Sequence, residues 1–223
     1  MRSNRPHLIQ RMEPCQTDRV TISGQIVILN GAPRSGKSSI ADFMKNSFPG
    51  KWVNLGVDSC ARWIPERLQP GIGLRPGGER PDLEEPVVIL YKGLYMSIAA
   101  HAKLGLSVVV DVGHHDSYSR PLGILPQCAR QLSELPVLFV GVRCPIDVIW
   151  QRREQTWSQV REAADKELLA AVERWQQEVH SSWSYDVEVD TSVSSAQQCA
   201  EIIADRLSEG PPGKAFKKLA ALD

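Results

Sequence analysis

Five short apolar runs along the chain alternate with segments whose apolar residues recur at helical spacing. The runs cover residues 26–29, 52–57, 106–110, 136–142 and 185–191. Runs of this length, rich in β-branched residues, predict buried strands. An alternation of strands and helices is typical of a parallel sheet with helices on both faces, and 223 residues suit one such domain. The fifth run alternates apolar and polar residues, which predicts a position at the edge of the sheet.

The helical segments follow the predicted strands. They run from residue 38 to about 46 and over residues 86–104, 124–135, 146–155, 165–181 and 196–207. Residues 86–104 are mostly apolar and predict a core helix, with Tyr91 and Tyr95 as packing residues. Residues 124–135 predict a helix at the surface. Residues 69–86 are rich in Gly and Pro and predict a long loop, either a flap near a ligand site or a plain surface insertion.

A glycine-rich turn follows the first strand and leads into the first helix. Residues 31–38 read GAPRSGKS, which fits the phosphate-binding pattern G-x-x-x-x-G-K-[ST], also called Walker A. The alternative is a chance match, which the preceding strand and the following helix disfavour. Loop amides and the helix N-terminus would face phosphate oxygens, Lys37 would reach the β- and γ-phosphates, and Ser38 would bind Mg²⁺. The predicted nucleotide-binding residues are Gly31, Ala32, Pro33, Arg34, Ser35, Gly36, Lys37, Ser38 and Ser39.

Two acidic residues stand at the ends of predicted strands. Asp58 ends the second strand and Asp111 ends the third. In open parallel sheets, ligands bind at the carboxyl ends of the strands, so both residues should lie near the loop. Asp111, after an apolar strand, resembles a Walker B acid that orients Mg²⁺ or its water shell. Either aspartate could instead cap a helix N-terminus.

Arginines follow the fourth strand. Arg152 and Arg153 lie on the predicted helix, and Arg161 follows it. Many P-loop kinases place a lid here whose arginines clamp the transferring phosphate. The alternative is a solvated helix face.

His114 and His115 are adjacent, so in an extended segment they cannot both face one metal, although one of them could contact a substrate.

Composition narrows the class of protein. Lys+Arg and Asp+Glu number 26 each, so a nucleic-acid binder driven by net charge is not expected. The cysteines are scattered and form no C-x-x-C, which argues against disulfides and zinc and fits a reducing cytoplasm. No apolar run reaches the ~18 residues of a membrane span.

The sequence also predicts how the chain is divided. Residues 1–23 are predicted to form a disordered extension without a secretory signal. Residues 24–209 are predicted to form the domain, and residues 210–223 a short basic tail.

Several of these blocks together resemble the chloramphenicol 3-O-phosphotransferase family. They are ILNG leading into SGKS (residues 28–38), GVDS (56–59), VGVRC (140–144), and His180 followed by YDVEVDT (185–191). They occur in the family's order over roughly residues 25–208. The resemblance implies that Asp58 is the base that takes the proton of the acceptor hydroxyl. It also matches Arg152 to the family's arginine, with Arg153 one step out of register.

The sequence therefore predicts a P-loop NTPase-type α/β/α sandwich with a five-stranded parallel sheet. Its predicted activity is ATP- and Mg²⁺-dependent phosphoryl transfer to the hydroxyl of a small molecule. The assigned catalytic residues are Asp58, Lys37, Arg152 and Arg153, and the metal ligands are Ser38 and Asp111. A nucleotide, nucleoside or sugar kinase, and a regulator that binds ATP without an acceptor, remain as alternatives. No nucleic-acid or membrane partner is expected, and the oligomeric state is left open.

Overall fold

The computed structural model of the protein describes residues 23–62, 64–69, 75–154, 162–210 and 213–222. Its five-stranded sheet is parallel throughout and has the strand order β2-β3-β1-β4-β5. The strands are β1 (Ile26–Asn30), β2 (Trp52–Asn54), β3 (Ser107–Val112), β4 (Val137–Arg143) and β5 (Val187–Asp190). The predicted fold is confirmed, and β5 lies at the edge as its alternation indicates.

Helices cover both faces of this sheet. They are α1 (Lys37–Ser47), α2 (Val57–Ala61), α3 (Glu84–Lys103), α4 (Ile124–Gln131), α5 (Ile146–Glu154), α6 (Glu162–Ser181), α7 (Ala196–Ser208) and α8 (Ala215–Ala220). Short 3-10 turns occur at Glu66–Leu68 and Pro81–Leu83. Side chains of β1 alternate between the two layers: Ile26 and Ile28 pack towards α3, α4 and α8, whereas Val27 and Leu29 pack towards α1 and α7. This alternation is the period of two that a strand imposes.

The structure differs from the sequence-based predictions at helices α2 and α4. The second strand ends at Asn54 and α2 already begins at Val57, so Asp58 lies inside a helix and not at the end of a strand. The helix predicted at the surface, α4, is buried along one side through Leu125 and Cys128, where it packs against α3 and α8. Three polar residues, Gln127, Arg130 and Gln131, interrupt its apolar positions in the sequence, and they masked the buried side.

The C-terminal residues contain a packed helix where the composition predicted a basic tail. Phe216 and Leu219 of α8 are buried in the core beside α4. The carboxylate of Asp186 accepts hydrogen bonds from the backbone N–H groups of Lys214 (2.6 Å) and Ala215 (2.9 Å), which fixes the start of the helix. The three lysines dominate the composition of this segment, but they alternate with an apolar stripe that composition alone does not reveal.

The remaining sequence-based expectations fall partly outside the described residues. The predicted N-terminal extension lies there except for Ser23. Within the described ranges, no helix is both long and apolar enough to cross a membrane. Cys60, Cys128, Cys144 and Cys199 are buried free thiols. The same ranges contain no cluster of His, Cys, Asp and Glu that could hold a metal ion by itself.

Candidate functional site

The glycine-rich turn forms a tight loop between β1 and α1. Gly36 stands at the N-cap of α1 with φ 93°, a left-handed conformation that favours glycine. Arg34 also has a positive φ of 64°. No side chain caps α1 and its first turn carries no acidic residue. The orphan N–H groups at this helix start therefore suit an anion, and the loop fits the phosphates of a nucleotide.

Lys37 folds back over the loop that precedes it. Its ammonium group donates hydrogen bonds to the carbonyl oxygens of Gly31 (2.8 Å) and Ala32 (2.7 Å). Burial lowers the pKa of Lys37 from 10.5 to about 8, and the nearby carboxylates of Asp111 and Asp58 raise it in part. The same two carboxylates therefore lie close to Lys37 and the phosphate loop, Asp111 from its strand and Asp58 from the first turn of α2.

The shifted pKa of Lys37 predicts that nucleotide binding takes up a proton. An anionic phosphate beside the ammonium favours the charged form and raises the pKa again. At about pH 8.5, where free Lys37 is largely neutral, binding of Mg-ATP should take up a substantial fraction of a proton, and much less at about pH 7. Calorimetric titrations in buffers of different ionisation enthalpy measure this uptake. Lys37→Arg, which stays protonated, should abolish it; equal uptake at both pH values would contradict the assignment.

Ser38 and Asp111 form an oxygen pair beside Lys37. The Ser38 hydroxyl donates to Asp111 Oδ2 at 2.7 Å. Asp111 lies within β3, in register with Leu29 of β1, which aligns it with the start of the loop. A Cβ at Gly56 would come within 1.9 Å of Asp111 Oδ1, so this carboxylate requires glycine at that position. Hydroxyl and carboxylate oxygens are hard ligands, and the pair fits Mg²⁺.

Neither aspartate caps a helix, so this structural alternative is excluded for both. The N-cap of α2 is Gly56, which has no side chain to offer, and Asp58 follows in the first turn. Its side chain is exposed. Asp111 is a strand residue bonded to Ser38. Asp58 thus presents a solvent-accessible carboxylate close to Lys37, where an acceptor could reach it.

Arg152 reaches the loop, whereas Arg153 lies over an aromatic ring. Arg152 donates to the backbone oxygens of Arg34 (3.3 Å) and Thr191 (2.6 Å) and to Thr191 Oγ1 (3.0 Å). The Arg153 guanidinium stands 5.6 Å from the ring centroid of Trp150. The geometry separates two neighbours that the sequence could not distinguish. Arg161 lies outside the described residues.

A cavity of about 520 Å³ opens beside the loop. It extends from the start of α1 to the segment between β5 and α7. Its lining residues are Arg34, Gly36, Lys37, Ser38, Ser39, Arg152, Thr191, Ser194, Ser195 and Ala196. Five of the nine predicted loop residues and Arg152 thus share one cavity with the C-terminal part of the chain.

A buried polar network next to the loop was not among the predicted site residues. Asn30 Nδ2 donates to the backbone oxygen of Val179 (3.1 Å) and to Tyr185 Oη (3.0 Å). Asn30 Oδ1 accepts from the backbone N–H of His114 at 2.6 Å, and His180 Nδ1 pairs with Tyr185 Oη at 2.7 Å. The network ties β1 to the segment after Asp111 and to the end of α6. The sequence did show that a polar residue, Asn30, ends the apolar strand β1. It did not show which distant residues would bind Asn30.

The two adjacent histidines are buried and separate, as the extended-chain argument predicts. His114 pairs through Nε2 with Tyr95 Oη at 2.9 Å, and burial lowers the pKa of His114 to about 3, so it is neutral. His115 packs on Tyr118 and Trp175. Neither belongs to a metal cluster in the described part of the chain.

The described part of the predicted flap packs against neighbouring segments. The Gly77 N–H donates to the Ser117 carbonyl at 2.7 Å, and Glu79 forms an ion pair of 2.5 Å with Arg174 of α6. Residues 70–74 lie outside the described ranges. The loop therefore connects the segment after β3 with helix α6.

Comparison with known proteins identifies the family of the chain. The family model described as chloramphenicol phosphotransferase-like protein matches residues 24–208. No curated protein matches the chain.

Similar solved structures include a sugar kinase from Janibacter sp. HTCC2649, with 17% identity, a TM-score of 0.55 and coverage of 89% of this chain and 99% of that one. The APS kinase of Mycobacterium tuberculosis in complex with AMPPNP and APS has 16% identity, a TM-score of 0.55 and coverage of 83% and 98%. A gluconokinase from Sinorhizobium meliloti 1021 has 14% identity, a TM-score of 0.54 and coverage of 84% and 93%. At these identities the likeness shows the P-loop kinase fold alone. With its family match spanning the whole sheet, the protein belongs to the chloramphenicol phosphotransferase-like family of P-loop kinases.

Proposed function

We propose that the protein transfers the γ-phosphoryl group of ATP to a hydroxyl of a small molecule. The observation that carries this proposal is the convergence of Lys37, Ser38, Asp111 and Asp58 beside one phosphate loop. A regulator that only binds ATP needs the first three residues but has no need of an accessible carboxylate beside them. Asp58 therefore favours an acceptor that loses a proton.

In this proposal, some residues position the phosphates, others neutralise their negative charge, and Asp58 accepts a proton. The N-terminus of α1 and Lys37 would hold the phosphates, and Arg152, which Thr191 holds beside the loop, would neutralise charge on the transferred group. Ser38 and Asp111 would hold Mg²⁺, which supplies further neutralisation of phosphate charge. Asp58 accepts the proton of the attacking hydroxyl. Phosphoryl transfer needs little covalent help from the protein, so such an arrangement suffices.

A screen of small hydroxyl compounds tests the proposal. Chloramphenicol, nucleosides, sugars and sugar acids are incubated with Mg-ATP, and phosphorylated products are identified by mass spectrometry. We expect one compound class to be phosphorylated by the wild type and not by Lys37→Ala. Nucleotide binding without any product across these classes would favour the regulator.

The nucleotide site has its own test, which needs no acceptor. At about 100-fold excess over its Kd, Mg-ATP should stabilise the wild type by ~2.7 kcal/mol, or roughly 5–10 °C in Tm. Lys37→Ala should fold but lose most of this shift. The matched control is Lys45→Ala, which removes an exposed lysine of the same helix that forms a surface ion pair with Asp42. Thermal melts with and without Mg-ATP measure the shift. A full shift in Lys37→Ala would refute the loop assignment.

A further inference from the structure

Helix α3 carries two buried tyrosines one turn apart, and their hydroxyls differ in what they contact. Tyr91 is 2% exposed and Tyr95 is 0% exposed. The Tyr95 hydroxyl pairs with Nε2 of His114 at 2.9 Å. For Tyr91, none of the described residues accepts a hydrogen bond from the O–H. A buried tyrosine hydroxyl usually has a partner, because a buried donor without an acceptor destabilises the fold.

Tyr91 lies at the edge of the sheet where the site residues meet. Its ring packs on His114, with the ring centroids 4.3 Å apart, and His114 follows Asp111 by three positions. Helix α3 also packs against α2, which carries Asp58. Burial raises the pKa of Tyr91 well above 10, and the Asp58 carboxylate adds to this rise, whereas a backbone hydrogen bond from Gly113 lowers it. Tyr91 therefore stays protonated and offers a hydrogen-bond donor close to Asp58.

Packing alone does not explain a tyrosine at this position. Phenylalanine would fill the same space in the core and would leave no buried donor without an acceptor. A bound molecule would supply the missing acceptor. Asp58 is the proposed base for the attacking hydroxyl, and a donor near it can bind a second oxygen of the same compound.

We propose that the Tyr91 hydroxyl donates a hydrogen bond to the acceptor compound and so helps to select it. This role rests on the proposed function, because it takes Asp58 as the base that receives the acceptor proton. The oxygen bound by Tyr91 is not the attacking one, since a hydrogen bond there would withdraw the electron density that attacks the γ-phosphorus. The substrate class is therefore a compound with a second oxygen, in a hydroxyl, ether or carbonyl group, next to the phosphorylated hydroxyl.

Two near-isosteric substitutions on α3 test whether the protein itself uses the hydroxyl. Tyr91→Phe should melt at or above the wild-type Tm, because it removes a buried donor that has no acceptor in the free protein. Tyr95→Phe is the matched control and should lower the Tm, because it breaks the pair with His114. Thermal melts without any ligand measure both. A fall in Tm in Tyr91→Phe as large as that in Tyr95→Phe would place the partner of the hydroxyl inside the protein and overturn the proposal.

Kinetics on two related compounds test the contact with the acceptor. The first is the compound that the wild type phosphorylates in the screen of hydroxyl compounds, starting with chloramphenicol. The second is its analogue with hydrogen in place of the oxygen nearest to the phosphorylated hydroxyl. Tyr91→Phe should lower kcat/KM for the first compound by about 10-fold, as expected for one lost hydrogen bond, and should keep the Mg-ATP-induced Tm shift. The wild type should lose a similar factor on the analogue, whereas Tyr91→Phe should treat the two compounds alike.

The outcomes separate the role of Tyr91 from the proposed function. A wild type that phosphorylates no compound of the screen would remove both. An active wild type with unchanged kcat/KM in Tyr91→Phe would remove the role of Tyr91 alone. The same holds if Tyr91→Phe discriminates between the two compounds as the wild type does, or if the phosphorylated compound has no second oxygen next to the hydroxyl.

Discussion

Asp58→Asn should lower phosphoryl transfer by about 10²–10⁴-fold and leave Mg-ATP binding almost unchanged. The carboxylate lies in the first turn of α2, is exposed and does not cap the helix, so its removal should disturb the fold little. Asparagine keeps the shape and polarity of the side chain but cannot accept the proton of the attacking hydroxyl. Steady-state kinetics on the acceptor found by screening, together with the Mg-ATP-induced Tm shift, measure both quantities.

Another exposed acidic residue provides the control for this substitution. Asp42→Asn removes a carboxylate of α1 that forms a surface ion pair with Lys45, and it should leave turnover unchanged. Wild-type turnover in Asp58→Asn would remove the catalytic role from this residue. A parallel loss of Mg-ATP binding would instead assign Asp58 to the nucleotide site.

Arg152→Ala should reduce turnover by about 10³–10⁵-fold, the contribution of arginines that neutralise transition-state charge in other phosphotransferases. Its affinity for Mg-ATP should fall much less. Arg152→Lys should also be strongly impaired, because a lysine cannot reproduce the fork that holds Thr191 and the Arg34 carbonyl. Single-turnover rates and the Kd of Mg-ATP separate the two effects.

The adjacent Arg153 is the matched control. Its guanidinium lies over Trp150, and Arg153→Ala should cost far less turnover than Arg152→Ala. If Arg152→Ala and Arg153→Ala both kept wild-type turnover, neither arginine would have a catalytic role, and both would belong to a solvated helix face. A fall in affinity as large as the fall in turnover would mean that Arg152 only supports the shape of the loop.

Local patterns in the sequence were enough to predict the sheet and the phosphate loop. Each strand is a compact apolar run, and GAPRSGKS combines strand, turn and helix within one short segment. The placement of Asp111 followed from the rule that parallel strands end at one edge. These features depend on residues near each other in the chain, which is why a single sequence reveals them.

Other features depend on distant contacts that a single sequence does not encode visibly. Arg152 and Arg153 have the same chemistry, and only the position of Thr191 decides which of them reaches the loop. The burial of α8 depends on α4 and Asp186, far away in the chain. The partners of Asn30 were equally hidden. For Asp58, the start of α2 three residues after Asn54 was a boundary detail that apolar spacing does not resolve.

The contacts that hold the phosphate loop also decide when the protein can first use its ligand during synthesis. Ser35 and Thr191, whose hydroxyl donates to the Ser35 carbonyl, are 156 positions apart, and Asn30 and Tyr185 are 155 apart. The loop is translated early, but its supports at Tyr185 and Thr191 are translated more than 150 residues later. A nascent chain that ends before β5 therefore carries the Walker A residues without these contacts. With the proposed function, ATP can stabilise the loop only after β5 has been made, so the earlier steps of folding proceed without help from the nucleotide.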